Sequence, residues 1–262
     1  MKLGIIAARQ TESFDEAREL GLQFVEFTCN VSDDLTPFFS SIPELRAASE
    51  RTGVAVGSIG RWGPDRIAAD GTVIEEELQM SYALIDAAVE LQCPVFVCGC
   101  NYVEERSYYE NVTSAIHFFN LLIAYGEQKG VRIATYNCHW NSFVVDNQAW
   151  SLIHGHLPKL GIKYDPSHAR YAGQDYLKEA RDWGSRFLHV HLKGSVIIDG
   201  KRFDDPPAGL DQTDWPTFIA VLYGSGYEGG LSIEPHSQVW KGELGQKGIQ
   251  YTIGYMKPFL LS

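Results

Sequence analysis

Eight β-rich runs alternate with eight helical patterns along this chain. The runs are KLGIIAA (2–8), LQFVEFTC (22–29), GVAVGSIG (53–60), PVFVCGC (94–100), VRIATYNC (131–138), GIKYDPS (161–167), FLHVHLKG (187–194) and GLSIEPH (230–236). Helical periodicity follows each: 13–20 with Ser13 as its cap, 42–53, 73–91, 106–129, 147–156, 174–183, 215–223 and 242–260. Strand–helix alternation in about 250 residues is the rhythm of a (β/α)8 barrel. A single TIM barrel over residues 1–262 is therefore expected, with its active site at the carboxyl ends of the strands. The competing architecture is an open doubly wound sheet. It is disfavoured because IIAARQTES, after the first strand, has no GxGxxG cradle. Polar residues also recur inside the strands, which suits a barrel interior.

The seventh run carries the sharpest pattern. In FLHVHLKG, Leu188, Val190 and Leu192 fall on one face and His189, His191 and Lys193 on the other. A parallel strand buried on both faces should show no polar face. A barrel resolves this: the apolar face meets the helices and the polar face points into the channel. By the same alternation Lys163 and Asp165 of GIKYDPSHA face inward, as do Ser232 and Glu234 of GLSIEPH. Asp165, His191 and Glu234 then converge near the strand ends. Two carboxylates and an imidazole brought together out of water call for a compensating cation, and one divalent metal (Mn²⁺, Mg²⁺, Co²⁺ or Zn²⁺) suits the O/O/N set. Deeper in the channel, Lys163, His189 and Glu26 are expected to form a buried ionic or hydrogen-bonded layer.

Composition narrows the partners. The 33 acidic and 22 basic residues give a formal charge of −11, which repels nucleic-acid phosphates. No apolar stretch approaches the ~18 residues of a membrane span, and Arg9 interrupts the short apolar start of MKLGIIAARQ. The five cysteines are an odd set without disulfide spacing, as in a cytoplasmic protein. Cys29, Cys100 and Cys138 with His139 form an alternative soft-metal set, but no CxxC occurs and buried thiols usually pack as small hydrophobes.

KYDPSHA, HVHLKG and LSIEPH, with the loop PPAGLDQTDWPTF (206–218), resemble the closing motifs of the xylose isomerase-like barrels, the sugar phosphate isomerase/epimerase superfamily. The resemblance implies one divalent metal held by two glutamates, an aspartate and a histidine. Asp165, His191 and Glu234 match three of these ligands. It also implies that His168 contacts substrate, that Lys193 and His236 orient hydroxyl or phosphate groups, and that the chain assembles as a dimer or tetramer. Trp62, Trp140 and Trp240 are expected in loops at the active face, Trp140 stacking on a sugar ring, with Arg61 as an anion contact.

The fifth strand departs from the family pattern. Where the family has Glu-Asn-His, this chain reads Tyr136, Asn137, Cys138, then His139. Either Asn137 or His139 reaches the metal, or water or substrate fills the fourth position, or the metal is lost. The expected activity is isomerisation or epimerisation (or dehydration) of a small keto sugar or polyol through an enediolate, with Glu234 as base and His168 shuttling or positioning. The alternative is a non-catalytic sugar-binding or regulatory barrel.

Overall fold

The computed structural model describes residues 1–261. In chain order its elements are β1 (Lys2–Ala7), α1 (Glu12–Glu19), β2 (Phe24–Asn30), α2 (Thr36–Ser40), α3 (Ile42–Thr52), β3 (Ala55–Trp62), α4 (Glu75–Glu90), β4 (Val95–Cys98), α5 (Tyr108–Lys129) and β5 (Arg132–Tyr136). There follow α6 (Asn147–His156), β6 (Gly161–Tyr164), α7 (Pro166–Tyr171), α8 (Tyr176–Trp183), β7 (Phe187–Leu192), β8 (Val196–Ile198), β9 (Lys201–Asp204), α9 (Trp215–Gly224), β10 (Gly230–Ile233) and α10 (Gly242–Met256). Strands β1 to β7 and β10 close into one all-parallel barrel, β10 pairing with both β7 and β1. The expected fold is the observed one.

Local chemistry sets the boundaries. β6 stops at Tyr164, short of the expected 167, because Pro166 opens α7 and the Asp165 carboxylate caps it, accepting from Ser167 N at 2.8 Å. β3 runs two residues past its expected end, so Arg61 and Trp62 belong to the strand and not to a loop. Ser13 is not a cap: it lies inside α1 and its Oγ donates to the Ala8 carbonyl at 2.9 Å. α5 begins after Ser107, whose side chain forms a capping box with Glu110. The β8–β9 hairpin was not anticipated. Asp199 (φ 51°) and Gly200 (φ 72°) make its turn, so the Asp-Gly pair was a legible signal.

The outer strand faces meet the helices in one continuous core, which includes Val190, Leu192, Leu231 and Ile233. The inner faces stack in layers. At the amino end the Phe24 ring plugs the channel, and Gly4, Gly57 and Gly230 leave room for it: a Cβ on Gly4 or Gly57 would meet the ring at 2.4 Å. Beside this lies an inner apolar cluster of Trp62, Val95, Val97, Ala134 and Tyr136, which Leu188 joins. Leu188 was expected to face the helices. The β6–β7 register shifts so that Ile162 pairs with Phe187 and Lys163 with His189, leaving Leu188 unpartnered and turned against Gly161. Above this layer the channel becomes ionic.

Candidate active site

At the centre of the channel the Glu26 carboxylate of β2 is fully buried between two imidazoles. His189 Nε2 lies 2.8 Å from Glu26 Oε2, and His191 Nε2 lies 2.9 Å from the same oxygen. The other nitrogen of His191, Nδ1, lies 2.7 Å from Glu234 Oε2 at the end of β10. His191 thus meets a carboxylate at each ring nitrogen, an arrangement that favours its protonated form. Burial alone would lower the His191 pKa, but the Glu26 and Glu234 charges outweigh it and hold it above the usual histidine value. Burial opposes ionisation of Glu26 too, and the two imidazoles overcome it, keeping Glu26 well below the carboxylate range. His189 goes the other way: burial dominates and it is neutral at pH 7.

The next tier is built around Lys193, buried at the end of β7. Its Nζ lies 2.8 Å from Asp165 Oδ2 and 3.3 Å from Glu234 Oε2. It also lies 3.2 Å from His168 Nε2, to which it can only donate, so His168 is neutral with its proton on Nδ1. Burial pushes the His168 pKa down to about 3 despite Asp165 nearby. Asp165 and Glu234 are both pushed up by burial and pulled far below normal by Lys193, so both are ionised. Asp165 Oδ2 takes no well-oriented hydrogen bond, and its 2.8 Å contact to Lys193 is an ion pair with poor hydrogen-bond angles.

These groups open into a cavity of about 440 Å³ at the carboxyl ends of the strands. Trp62 and Trp140 form one wall, with Lys163, His168, His191, Lys193, Glu234 and His236 on the others. The size and mixed lining suit a small polar ligand. Lys163 was expected to pair within the buried layer. It is 2% exposed, yet among the described residues its ammonium has no ion-pair or hydrogen-bond partner and it lines the cavity.

The structure brings Asp165, His191, Glu234, His168 and Lys193 together, and places His236 and Trp140 on the cavity rim. His236 is held there by Asp205, 2.7 Å from its Nδ1. Other expectations require correction. Arg61 points away from the channel: Nη2 binds Glu77 of α4 at 2.8 Å and Nη1 the Asn30 carbonyl at 2.7 Å, because past the β2–β3 register shift Ile59 and Arg61 fall on the helix-facing side of β3. Asn137 spends its amide on the Asp165 backbone, accepting from its N and donating to its O, both at 2.9 Å. It positions Asp165, with its oxygen turned to that backbone N–H. His139 is exposed on the loop. Trp240 lines a separate cleft beside Pro207 and Gly248. The cysteines do not converge; the metal-capable groups among the described residues are Glu26–His189–His191 and Asp165–His191–Glu234.

The donors of the second group lie within 4.8 Å of one another, as a metal site requires. Their chemistry does not suit a divalent ion. Both ring nitrogens of His191 are already engaged by carboxylates, so a metal would have to displace one of these contacts. The Lys193 ammonium already bridges the two carboxylates. Tyr136, at the family's glutamate position, turns its hydroxyl to the Trp140 carbonyl at 2.9 Å and stacks on Trp62 at 5.6 Å. Burial raises its pKa far above neutrality, so it supplies no anionic oxygen. Lys193 and His191 lie directly against Glu26, Asp165 and Glu234, and Lys163 adds a third positive charge close enough to favour ionisation of Asp165 and Glu234.

An eight-stranded barrel with an ionised, sugar-sized mouth defines the class. The chain belongs to the xylose isomerase-like TIM barrel family, whose profile matches residues 14–258. Among solved structures it is similar to D-psicose 3-epimerase from Clostridium cellulolyticum H10, with a TM-score of 0.79, 15% identity and 99% of each chain covered. It is also similar to the 3-keto-D-glucoside 4-epimerase YcjR from E. coli, with a TM-score of 0.76 and 17% identity, covering 98% of this chain and 99% of that one. At these identities the likeness is one of fold. A curated relative, the uncharacterized protein YfiH of Bacillus subtilis (strain 168), is 30% identical over 108 residues, and the match spans only 34% of either chain.

Proposed function

We propose that this protein is a sugar isomerase or epimerase that moves a proton next to the carbonyl of a small keto sugar or related polyol. One observation carries the reading. Glu234 is held ionised with Oε2 fixed by His191 and Lys193, while Oε1 takes no bond from the described residues and the side chain borders the cavity. That is the arrangement of a base awaiting a ligand's proton. Glu234 accepts the proton from the carbon beside the carbonyl, and the C–H electron pair moves toward the carbonyl oxygen to give an enediolate. Cationic neighbours offset that developing charge and so compensate for the low basicity of Glu234. Return of the proton to the adjacent carbon gives isomerisation, and return to the opposite face gives epimerisation. Neutral His168 and the Lys193 ammonium stand where they can orient hydroxyls, and Trp62 and Trp140 offer apolar faces to a sugar ring. The sugar epimerases of the same fold are consistent with this substrate class.

The absence of a second carboxylate on the fifth strand favours a one-base path, hence isomerisation, and equally supports a barrel that only binds sugars. Incubation of the protein with a panel of ketoses and ketose phosphates in D₂O separates these readings. Deuterium incorporation at the α-carbon that disappears in Glu234→Gln supports the enzyme. Saturable binding of a sugar without exchange supports the binding protein.

A further inference from the structure

We infer that this site operates without a divalent ion, and that the Lys163 ammonium takes the electrophilic role toward the substrate oxygen. The inference concerns the site of the proposed isomerase, and its catalytic half rests on that reading. Its metal-free half stands on geometry alone. The three side chains best placed to hold an ion already lie against charges that belong to the chain, although Asp165 Oδ2 takes no well-oriented hydrogen bond. Lys193 sits 2.8 Å and 3.3 Å from the two carboxylates, and His191 is pinned between Glu26 and Glu234 at 2.9 Å and 2.7 Å. The fifth-strand position holds Tyr136, directed elsewhere. A metal entering here would have to expel the Lys193 ammonium and break the contact between His191 and Glu234.

Lys163 is different in kind from Lys193. It lies on β6, one layer below Asp165, and the β6–β7 bulge sets it opposite His189. His189 offers it no carboxylate, and Asp165 and Glu234, whose charges Lys163 also feels, are paired directly with Lys193. It is nearly inaccessible from outside, it lines the cavity, and its ammonium makes no direct ion pair or hydrogen bond with the described residues. A buried ammonium with no direct hydrogen-bond or ion-pair partner is costly to maintain in a folded protein. A ligand oxygen that gains negative charge in the cavity would supply the missing partner, and the enediolate oxygen of the proposed reaction is such a group.

The test uses the full chain. Mn²⁺ alone is titrated into chelator-treated protein and followed by electron paramagnetic resonance. The expected result is no stoichiometric binding tighter than about 100 µM. One Mn²⁺ per chain bound more tightly overturns the metal-free half, whatever the activity. In the deuterium-exchange assay, chelator-treated protein is expected to keep its rate, and Lys163→Met to lose about 10²–10³-fold while retaining its circular dichroism spectrum. Lys163→Arg is expected to recover part of that loss. An exchange rate that depends on added Mn²⁺, or a folded Lys163→Met with undiminished rate, refutes the inference and leaves the isomerase reading in place. Absence of exchange in the wild type with every ketose, with or without Mn²⁺, removes the isomerase reading and with it the role of Lys163; the Mn²⁺ titration still decides the metal-free half.

Discussion

Replacing Lys193 by methionine preserves the aliphatic length and removes the ammonium that Asp165 and Glu234 share. Asp165 is completely buried, and Oδ2 then keeps only His168, 3.4 Å away and uncharged. Removing one partner of a buried ion pair typically costs about 3–5 kcal/mol, most of it the penalty for the charge left behind. For a domain of 150–250 residues, each kcal/mol moves Tm by about 2–4 °C, so a fall on the order of 10 °C is expected. The pH dependence is diagnostic. In the wild type the Asp165 pKa is depressed, so its stabilisation is present above the unfolded value of 3.8 and is lost as pH falls through the folded value. In Lys193→Met, burial acts unopposed by the ammonium and raises that pKa, so protonation relieves the variant and its deficit shrinks on acidification from pH 8 to pH 5. With the ammonium gone, Mn²⁺ gains access to the carboxylates and should stabilise the variant but not the wild type, by about 2.7 kcal/mol at a hundredfold excess over Kd. Urea titrations at two pH values, with and without Mn²⁺, measure all three effects. A variant within about 1 kcal/mol of wild type at pH 8, or equal Mn²⁺ stabilisation of both proteins, would show that Lys193 is not the cation that closes this site.

Glu234→Gln should abolish α-proton exchange while changing the fold little; full retained exchange would reject Glu234 as the base. Gly4→Ala places a methyl 2.4 Å from the Phe24 ring and should cost about 1–3 kcal/mol, which Phe24→Leu in the same chain should partly restore; urea midpoints of the two single variants and the double variant check this. His154 is buried between Thr135 and the Leu160 carbonyl, and burial lowers its pKa from 6.5 to about 3. It must stay neutral when folded, so stability is full above pH 6.5 and is lost progressively as pH falls toward 3. The loss attributable to His154 at pH 5.5 is about 1.4 kcal/mol. His154→Gln should remove that portion of the acid sensitivity, read as the difference between wild-type and variant unfolding free energies at pH 7.5 and 5.5.

The barrel was legible in the chain, because alternation within a strand and strand–helix repetition are local patterns that survive reading one residue at a time. So was the meeting of Asp165, His191 and Glu234, since parity fixes the face and strand ends fix the depth. Parity misled only where the pairing shifts: the β6–β7 bulge turned Leu188 inward. Arg61 was misplaced because β3 continues past Gly60, and only then does its parity point it at Glu77. The charge pairing, by contrast, emerges only once the strands are assembled. Strand spacing shows that Lys193 and His191 face the channel, but not that the ammonium reaches Asp165 or that both imidazole nitrogens find carboxylates. Those distances depend on the closure of β10 onto β7 and on Glu26 arriving from β2 on another part of the wall. Electrostatic balance is a property of the assembled ring, and a list of candidate ligands does not contain it.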